Sequence, residues 1–380
     1  MKKTVLALAA IAASSAAFAQ SSVTLYGVVD ASVESVKGNT AGKGTTFNRV
    51  SSGNLATSRL GFKGVEDLGG GLKAKFQLEA TVNADTGAAA TGRFFDRAAW
   101  LGLASAEAGE LRIGRQDSLI GAQIADAIGA QAYDASVVAV TLGGSTHRRI
   151  DNALTYIAPT FVPGLTLSAQ YSTTVDSSVN FPGVGSGTTN NAESASGNKG
   201  GRAYGFAANF VQGPVSAGAS YINVNSSASL QQENVGLFLY GAYDLGVAKL
   251  TAFYNDDTND GNRNVDGRRL YGINAAVPVV KGLTVTGGYA FARNVGSTSV
   301  SGTGFAANTA VLATARKNVD NDNAGIITLK AQYDLSKRTA AYALFTQVQN
   351  GDNANLGLAG VSTIKDKSVR GLAVGVRHAF

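Results

Sequence analysis

The chain contains no cysteine and only five prolines, two histidines and one tryptophan among its 380 residues. Without cysteine there is no disulfide framework and no thiolate metal site. After residue 19 no apolar run approaches the roughly 20 residues that a membrane-spanning helix needs. Lysine and arginine are scattered rather than clustered, which argues against nucleic acid as a partner. The fold must therefore depend on something other than disulfides or apolar transmembrane helices.

The first 19 residues have the pattern of a cleaved secretory signal peptide. Lys2 and Lys3 precede an apolar run, and small residues lead to the cleavage pattern Ala17-Phe18-Ala19. The prediction is a signal peptide at 1–19 and one mature domain at 20–380. Loss of the two lysines lowers the formal charge from +6 to +4.

Glycine is abundant, with 47 residues, and most of the chain alternates apolar with polar or small residues. Such a period of two is typical of strands that have one apolar face. In segment 71–83, for example, Lys73 and Lys75 alternate with Leu72 and Phe76. Sixteen strands are predicted: 22–36, 55–66, 71–83, 94–104, 109–116, 148–158, 165–173, 201–212, 214–224, 233–244, 247–256, 268–277, 282–293, 324–334, 339–348 and 368–380.

The predicted connections alternate between short turns and long polar loops, such as 173–200, 255–268, 294–323 and 349–367. Short turns at one rim and long loops at the other are typical of transmembrane β-barrels. A sheet survives in hydrocarbon only if it closes on itself. The predicted fold is an all-β, 16-stranded antiparallel transmembrane β-barrel, wide enough to leave a water channel.

Four local sequences, in order along the chain, carry a resemblance to a known family. They lie at 21–27, 58–72, 109–116 and 375–380, where the last is Gly-Val-Arg-His-Ala-Phe. Together they resemble the general-diffusion porins of Gram-negative β-proteobacteria, of the Neisseria and Burkholderia type. The resemblance implies an outer-membrane homotrimer surrounded by lipid and lipopolysaccharide, and a third external loop folded into each barrel. It implies passive passage of small hydrophilic solutes and ions, without enzymatic activity or a cofactor. It also implies that the C-terminal Phe380 is an assembly signal for the barrel-assembly machinery.

The third external loop is predicted at 116–147. It has no lysine or arginine but contains Asp117, Asp126 and Asp134. Asp126 and Asp134 are the candidates to reach the narrowest point of the pore, and the sequence does not choose between them.

By resemblance to anion-preferring members of the family, a basic pore constriction is assigned to Arg59, Arg97 and Arg149. Arg148 replaces Arg149 if the register shifts by one residue. The alternation of each strand also places these arginines inward, provided that their apolar or small neighbours face outward. These outward residues are Leu60, Phe62, Trp100, Gly102, Ile150, Leu154 and Tyr156. Trp100 is thus expected at lipid or a subunit contact.

Further inward cations are predicted at Lys63, Lys73, Lys75 and Arg112. An excess of positive charge along a water-filled channel favours anions over cations. The alternative is that these are ordinary solvated or paired wall charges, with Arg149–Asp151 a local ion pair that contributes little.

Other chemistry has weaker support. His147 and His378 lack ligand partners at metal-binding spacing. Asp256-Asp257-Thr258-Asn259-Asp260-Gly261 begins like a calcium loop, but its twelfth position is Gly267, which favours a solvated loop. No serine with a usable base and no isolated carboxylate pair indicates catalysis. A solute-specific channel is disfavoured because few aromatics face inward, Tyr26 being the clearest. An adhesin or soluble β-sandwich is the remaining alternative.

Overall fold

The computed structural model describes residues 22–40, 43–89, 93–128, 148–175, 201–225, 233–260, 268–293, 322–359, 361 and 363–380. The predicted signal peptide, residues 1–19, lies outside this part of the chain and stays a prediction. Asp134 and His147 also lie outside it.

The described residues form seventeen strands and one helix, α1 (Leu119–Ile128). The strands are β1 (Ser22–Thr40), β2 (Lys43–Ser52), β3 (Arg59–Gly69), β4 (Leu72–Thr81), β5 (Ala98–Ser105), β6 (Gly109–Asp117), β7 (Arg149–Ile157), β8 (Leu165–Val175), β9 (Gly201–Gln212), β10 (Val215–Asn225), β11 (Glu233–Asp244), β12 (Lys249–Asp260), β13 (Arg268–Val280), β14 (Leu283–Arg293), β15 (Ala324–Asp334), β16 (Thr339–Asn350) and β17 (Val369–Ala379). No helix in the described ranges is long and apolar enough to cross a membrane.

The strands form one closed antiparallel sheet, in which successive strands pair along the chain, except that β2 and β3 both pair with β1, and β17 closes the sheet by pairing with β1. This last pairing runs from Val28 opposite Ala379 to Lys37 opposite Arg370. Closure satisfies the backbone hydrogen bonds of both edge strands, which is the condition for a sheet in hydrocarbon.

The barrel has sixteen strand positions because β2 and β3 share one of them. Both pair with the same side of β1: Thr40–Ala31 opposes β2, and Val28–Ser22 opposes β3. The predicted sixteen-stranded barrel is confirmed. The predicted second strand at 55–66 was partly wrong, since its ordered part begins at Arg59 and a strand at Lys43–Ser52 was missed.

The break between β2 and β3 is fixed from inside the barrel. The buried Asp30 carboxylate accepts hydrogen bonds from the backbone N–H groups of Leu55 and Ala56, at 3.1 and 2.7 Å. It also accepts one from the Tyr342 hydroxyl on β16. The N–H groups of Leu55 and Ala56 lie between the two strands, and their hydrogen bonds are made to this carboxylate.

Alternation along each strand separates an apolar exterior from a polar interior. On β1, Val29 and Val33 point outward and are 45% and 66% exposed. Asp30 and Glu34 alternate with them and are almost completely buried inside. Exposed valine and leucine side chains on an outer surface are stable only where that surface meets lipid or another apolar surface.

Two connections contribute apolar side chains to the interior. Ile120 and Ile124 of α1 belong to the same buried cluster as Leu356 and Leu358, which follow β16. The Asn350 side chain holds the latter segment by bonding both the N–H and the C=O of Leu356, at 2.8 and 3.0 Å. At β12 the strand continues to Asp260, so the loop predicted from residue 255 begins later.

Candidate functional site

The first part of the site is a pair of arginines on one buried glutamate. Arg97 Nε lies 2.5 Å from Glu79 Oε1, and Arg59 Nε lies 3.9 Å from Glu79 Oε2. Glu79 points inward from β4, and Arg59 points inward from the first residue of β3. Arg97 precedes β5, and its N–H bonds the Glu79 carbonyl oxygen at 3.1 Å. Both predicted arginines therefore reach the lumen together.

The second part is a pair of arginines on Asp151. Arg93 Nη2 and Arg115 Nη1 lie 2.8 and 2.5 Å from its carboxylate oxygens. Arg115 Nε also donates to the Asp96 carbonyl oxygen at 2.7 Å. Neither Arg93 nor Arg115 was among the predicted site residues.

A bulge explains why Arg115 was missed. Gly114 has a φ of +128°, and the β6–β7 register shifts between Gly114 and Gln116. Strict alternation from Leu111 and Ile113 would send Arg115 outward, but the bulge turns it toward Asp151. The available signal was a glycine inside a strand, which often marks such a bulge.

The third part joins the start of β7 to the third loop. Arg149 Nε lies 3.0 Å from Asp117 Oδ1. Arg97, Arg115 and Arg148 all lie within electrostatic range of Arg149. The local Arg149–Asp151 bridge of the alternative interpretation is not formed, because Asp151 is paired with Arg93 and Arg115. Arg148 and Arg149 are both largely buried, so burial does not choose between them.

Ile150 was also misassigned. It was expected on the lipid face, but it is 2% exposed and lies in the interior apolar cluster. Asn152, with a φ of +51°, lies in the same irregular stretch opposite Arg115. Leu154 and Tyr156, beyond this stretch, do face outward and are 43% and 42% exposed.

The described start of the third loop follows β6 and packs on the inner wall formed by β8 to β11. Helix α1 begins after Ser118, whose Oγ accepts the Gly121 N–H at 2.9 Å, as an N-cap does. Ile120, Ile124 and Ile128 recur every four residues and form its buried stripe. Gln123 Nε2 donates to the inward side chain of Asn209 on β9, at 2.8 Å.

Asp126 lies on α1 and remains exposed to the lumen. Partial loss of water inside the barrel raises the pKa of Asp126 above its ordinary value, and the nearby Asp117 carboxylate raises it further. Of the three predicted loop acids, Asp117 contacts Arg149, Asp126 lies on α1, and Asp134 is outside the described residues.

These three parts lie at one level of the lumen, and we call them together the arginine wall. The wall carries more positive than negative charge. Its arginines are Arg59, Arg93, Arg97, Arg115, Arg148 and Arg149, and its carboxylates are Asp96, Asp117, Asp151 and Glu79. Six cations against four anions leave the wall with a formal charge of +2, and the nearby Asp126 carboxylate on α1 lowers the total to +1. The carboxylates hold the guanidinium groups in place without neutralising them all.

A second group of charges lies between the arginine wall and the rim formed by the short turns. Glu110 Oε2 lies 2.7 Å from Lys75 Nζ, and Glu110 Oε1 lies 2.5 Å from Arg112 Nε. Lys63 and Lys73 share the inward face of this wall, on β3 and β4. The four predicted lumenal cations are therefore all on the inner surface.

Trp100 is on this inner wall, contrary to the prediction that it faces lipid. It lies opposite Gln77 of β4, and its indole is 4.5 Å from the Arg112 guanidinium carbon. The outward residues of β5 are Leu101 and Leu103, which are 62% and 49% exposed. The error arose because Arg97 was counted within the strand alternation, although the strand begins only at Ala98.

A closed barrel with an apolar exterior, a polar interior and a charged inner wall defines a transmembrane channel. The chain matches the family model described as Gram-negative porin over residues 5–353. It belongs to that family, as the resemblance implied, and so functions in the outer membrane as a passive diffusion channel. The family is one of channels rather than enzymes.

Individual relatives extend the match over the whole chain. The chain is 32% identical to outer membrane porin protein 32 of Delftia acidovorans, and 29% identical to an outer membrane porin protein of Bordetella pertussis. Both alignments cover 100% of each chain. Among solved structures, the anion-selective porin from Comamonas acidovorans superposes with a TM-score of 0.73 and 25% identity, over 95% of this chain and 100% of that one.

Proposed function

We propose that this porin prefers anions and that the arginine wall sets the preference. The observation that carries the proposal is the excess of buried or half-buried arginines over carboxylates at one level of the lumen. Rings of arginine or lysine select anions in aqueous pores because they lower the electrostatic energy of an entering anion. The similarity to a porin described as anion-selective supports the same function.

Within the wall, Arg59, Arg97 and Arg149 form the constriction in this proposal, facing the third loop. Glu79 and Asp117 hold them at fixed positions, so the charges do not retract from a passing ion. Lys63, Lys73, Lys75 and Arg112 extend the positive potential toward the short-turn rim, which faces the periplasm in bacterial barrels.

The test is a reversal potential measured across a planar bilayer with a potassium chloride gradient. The wild-type channel is expected to pass chloride in preference to potassium. The triple variant Arg59→Gln, Arg97→Gln, Arg149→Gln should lower the chloride-to-potassium permeability ratio on the order of threefold, which is about 0.7 kcal/mol in relative barrier.

A matched control removes the same number of charges elsewhere. Lys365, Lys367 and Arg370 are exposed at the end of the barrel formed by the long loops, so their replacement by glutamine should change the ratio much less. Cation preference in the wild type would refute the proposed function. An equal effect of both triple variants would refute the assignment to the arginine wall.

Assembly into a homotrimer is a further part of the proposal, supported by the family resemblance and by the exposed apolar outer surface of the barrel. Outer-membrane lipid and lipopolysaccharide would cover the remaining surface, and the barrel-assembly machinery would recognise Phe380. Conductance rising in groups of three equal steps is expected in the same bilayer recordings, and solitary steps would contradict the trimer.

A further inference from the structure

Two aromatic side chains lie on the inner wall between the arginine wall and the short-turn rim. Tyr26 points inward from β1, and its ring lies directly over the Cα of Gly61, where a side chain would collide with it. Trp100 points inward from β5 and is half-buried. Neither ring is part of the outer apolar surface, so neither is explained by contact with lipid.

Each ring is paired with a cation. Arg112 lies with its guanidinium carbon 4.5 Å from the centroid of Trp100, and Lys63 Nζ lies 5.1 Å from the centroid of Tyr26. These distances are within the range of cation–π attraction. The lysine and the arginine are thereby held next to flat apolar surfaces instead of extending freely into water.

The two pairs belong to one surface. Lys63, Gln77 and Trp100 are direct partners across β3, β4 and β5. Strands are about 4.8 Å apart, so the backbones of Lys63 and Trp100 are roughly 10 Å apart. Gln77 lies between them and donates to the Tyr26 hydroxyl at 2.7 Å. We call this surface, formed by Tyr26, Lys63, Gln77, Trp100 and Arg112, the aromatic shelf.

The shelf is also positively charged. Lys63, Lys75 and Arg112 share this part of the wall with Glu110, which bonds Lys75 and Arg112, while the Glu79 carboxylate at the Tyr26 hydroxyl is paired with two arginines of the arginine wall. The formal charge of this group is therefore +2. A ligand suited to it carries a negative group for the cations and a flat ring for the aromatic faces.

We infer that the aromatic shelf binds aromatic carboxylates of the benzoate type as they cross the channel. The ring of such a solute stacks on the shelf, and its carboxylate meets Lys63 or Arg112. This inference rests on the proposed anion-preferring function and names a class of solute for it. A neutral sugar gains nothing from the two net charges, and an inorganic anion gains nothing from the rings.

The first test uses the native protein, because Trp100 is the single tryptophan of the chain. Indole fluorescence of the folded, detergent-solubilised porin is titrated with benzoate and with cyclohexanecarboxylate, which has the same charge but no aromatic ring. Benzoate is expected to give a saturable change, with half-saturation about tenfold lower than for cyclohexanecarboxylate. Equal responses to both acids, or a linear response to benzoate, would overturn the inference.

The second test measures block of chloride current by benzoate in planar bilayers. Replacing Trp100→Leu should weaken the block roughly 2- to 12-fold, the range expected for one lost aromatic contact, whereas Trp100→Phe should retain most of it. Equal block in both variants would overturn the site. If Trp100→Leu does not insert, the fluorescence titration still decides.

The potassium chloride gradient separates the two proposals. Anion preference without benzoate binding refutes the aromatic shelf and leaves the proposed function intact. Cation preference refutes the proposed function. Saturable benzoate binding in the fluorescence titration would then still support a binding site at the aromatic shelf, and its absence would refute both proposals.

Discussion

Glu79 shows how a single carboxylate can organise a basic wall. It is 8% exposed and contacts Arg97, Arg59 and the Tyr26 hydroxyl, the last at 2.8 Å. A buried carboxylate is stable only when paired and hydrogen-bonded. Glu79 therefore adds one negative charge to the inner wall and fixes the positions of two positively charged arginines. The local charge stays positive, and the arginines are held in place.

Asp126 gives a prediction at the same scale. Because its pKa is raised, Asp126 takes up a proton at a higher pH than an ordinary aspartate, whose pKa is about 4. Protonation removes a negative charge from the lumen, so anion preference should increase as the pH falls from neutrality toward that value. Reversal potentials measured over this range check the effect.

The control is Asp126→Asn, which is permanently neutral at this position. At pH 7 it should already show the stronger anion preference, and its reversal potential should vary less on acidification. A variant that follows the wild-type pH curve would show that Asp126 does not face the permeating ions.

At the scale of the element, the bulge between β6 and β7 decides where Arg115 goes. A Cβ on Gly114 would lie 2.3 Å from the Ala99 carbonyl oxygen, and the φ of +128° is unfavourable for any other residue. Gly114 is thus required both by space and by backbone conformation.

We predict that Gly114→Ala destabilises the barrel by about 2 kcal/mol or more, because the backbone must shift to relieve the contact and the strained φ. Unfolding in denaturant from lipid vesicles measures this loss. Gly241→Ala on β11 is the matched control, since nothing lies within 4 Å of its added Cβ, and it should be nearly neutral. Equal stability of the two variants would contradict the role of the bulge.

Helix α1 is the second decisive element. Its isoleucine stripe packs against the inner side of β8 to β11, next to the arginine wall. The sequence predicted a loop there and no helix. A stretch of only ten residues is too short for its apolar spacing to distinguish a helix from an irregular connection. The apolar inner surface of β8 to β11, against which the isoleucines pack, stabilises the helical form.

For the whole molecule, closure depends on β1 and β17. Phe380 exchanges two backbone hydrogen bonds with Gly27, each at 3.1 Å, and its ring covers the Cα of Gly27 on the outward side. The C-terminal residue is thus part of the seam between the first and last strands.

We predict that deletion of Phe380 lowers the yield of folded barrels in the outer membrane several-fold but leaves the ion selectivity of inserted channels unchanged. The seam loses its last pair of hydrogen bonds, whereas the arginine wall is on other strands. Membrane fractionation with bilayer recording measures both quantities. Phe380→Tyr keeps the ring and should restore the yield; failure to do so, or altered selectivity after deletion, would contradict this account.

The sequence predicted the number of strand positions in the barrel, most of the strand bounds and the inward direction of Arg59, Lys63, Lys75 and Arg112. These features can be recognised within each strand, because lipid on the outside and water on the inside impose an alternation of apolar and polar residues. The same reasoning failed at Ile150 and Trp100. At the first, a bulge interrupts the alternation, and at the second, the strand starts one residue after Arg97.

The sequence by itself thus determined the barrel and its two faces, since every strand must satisfy the same two solvents. The tertiary structure alone decided which charges meet: Arg97 with Glu79, Arg149 with Asp117, and Arg93 and Arg115 with Asp151. These partners are far apart in the chain or joined across a bulge, and strand register sets their distances. The period of a single strand contains no information about that register.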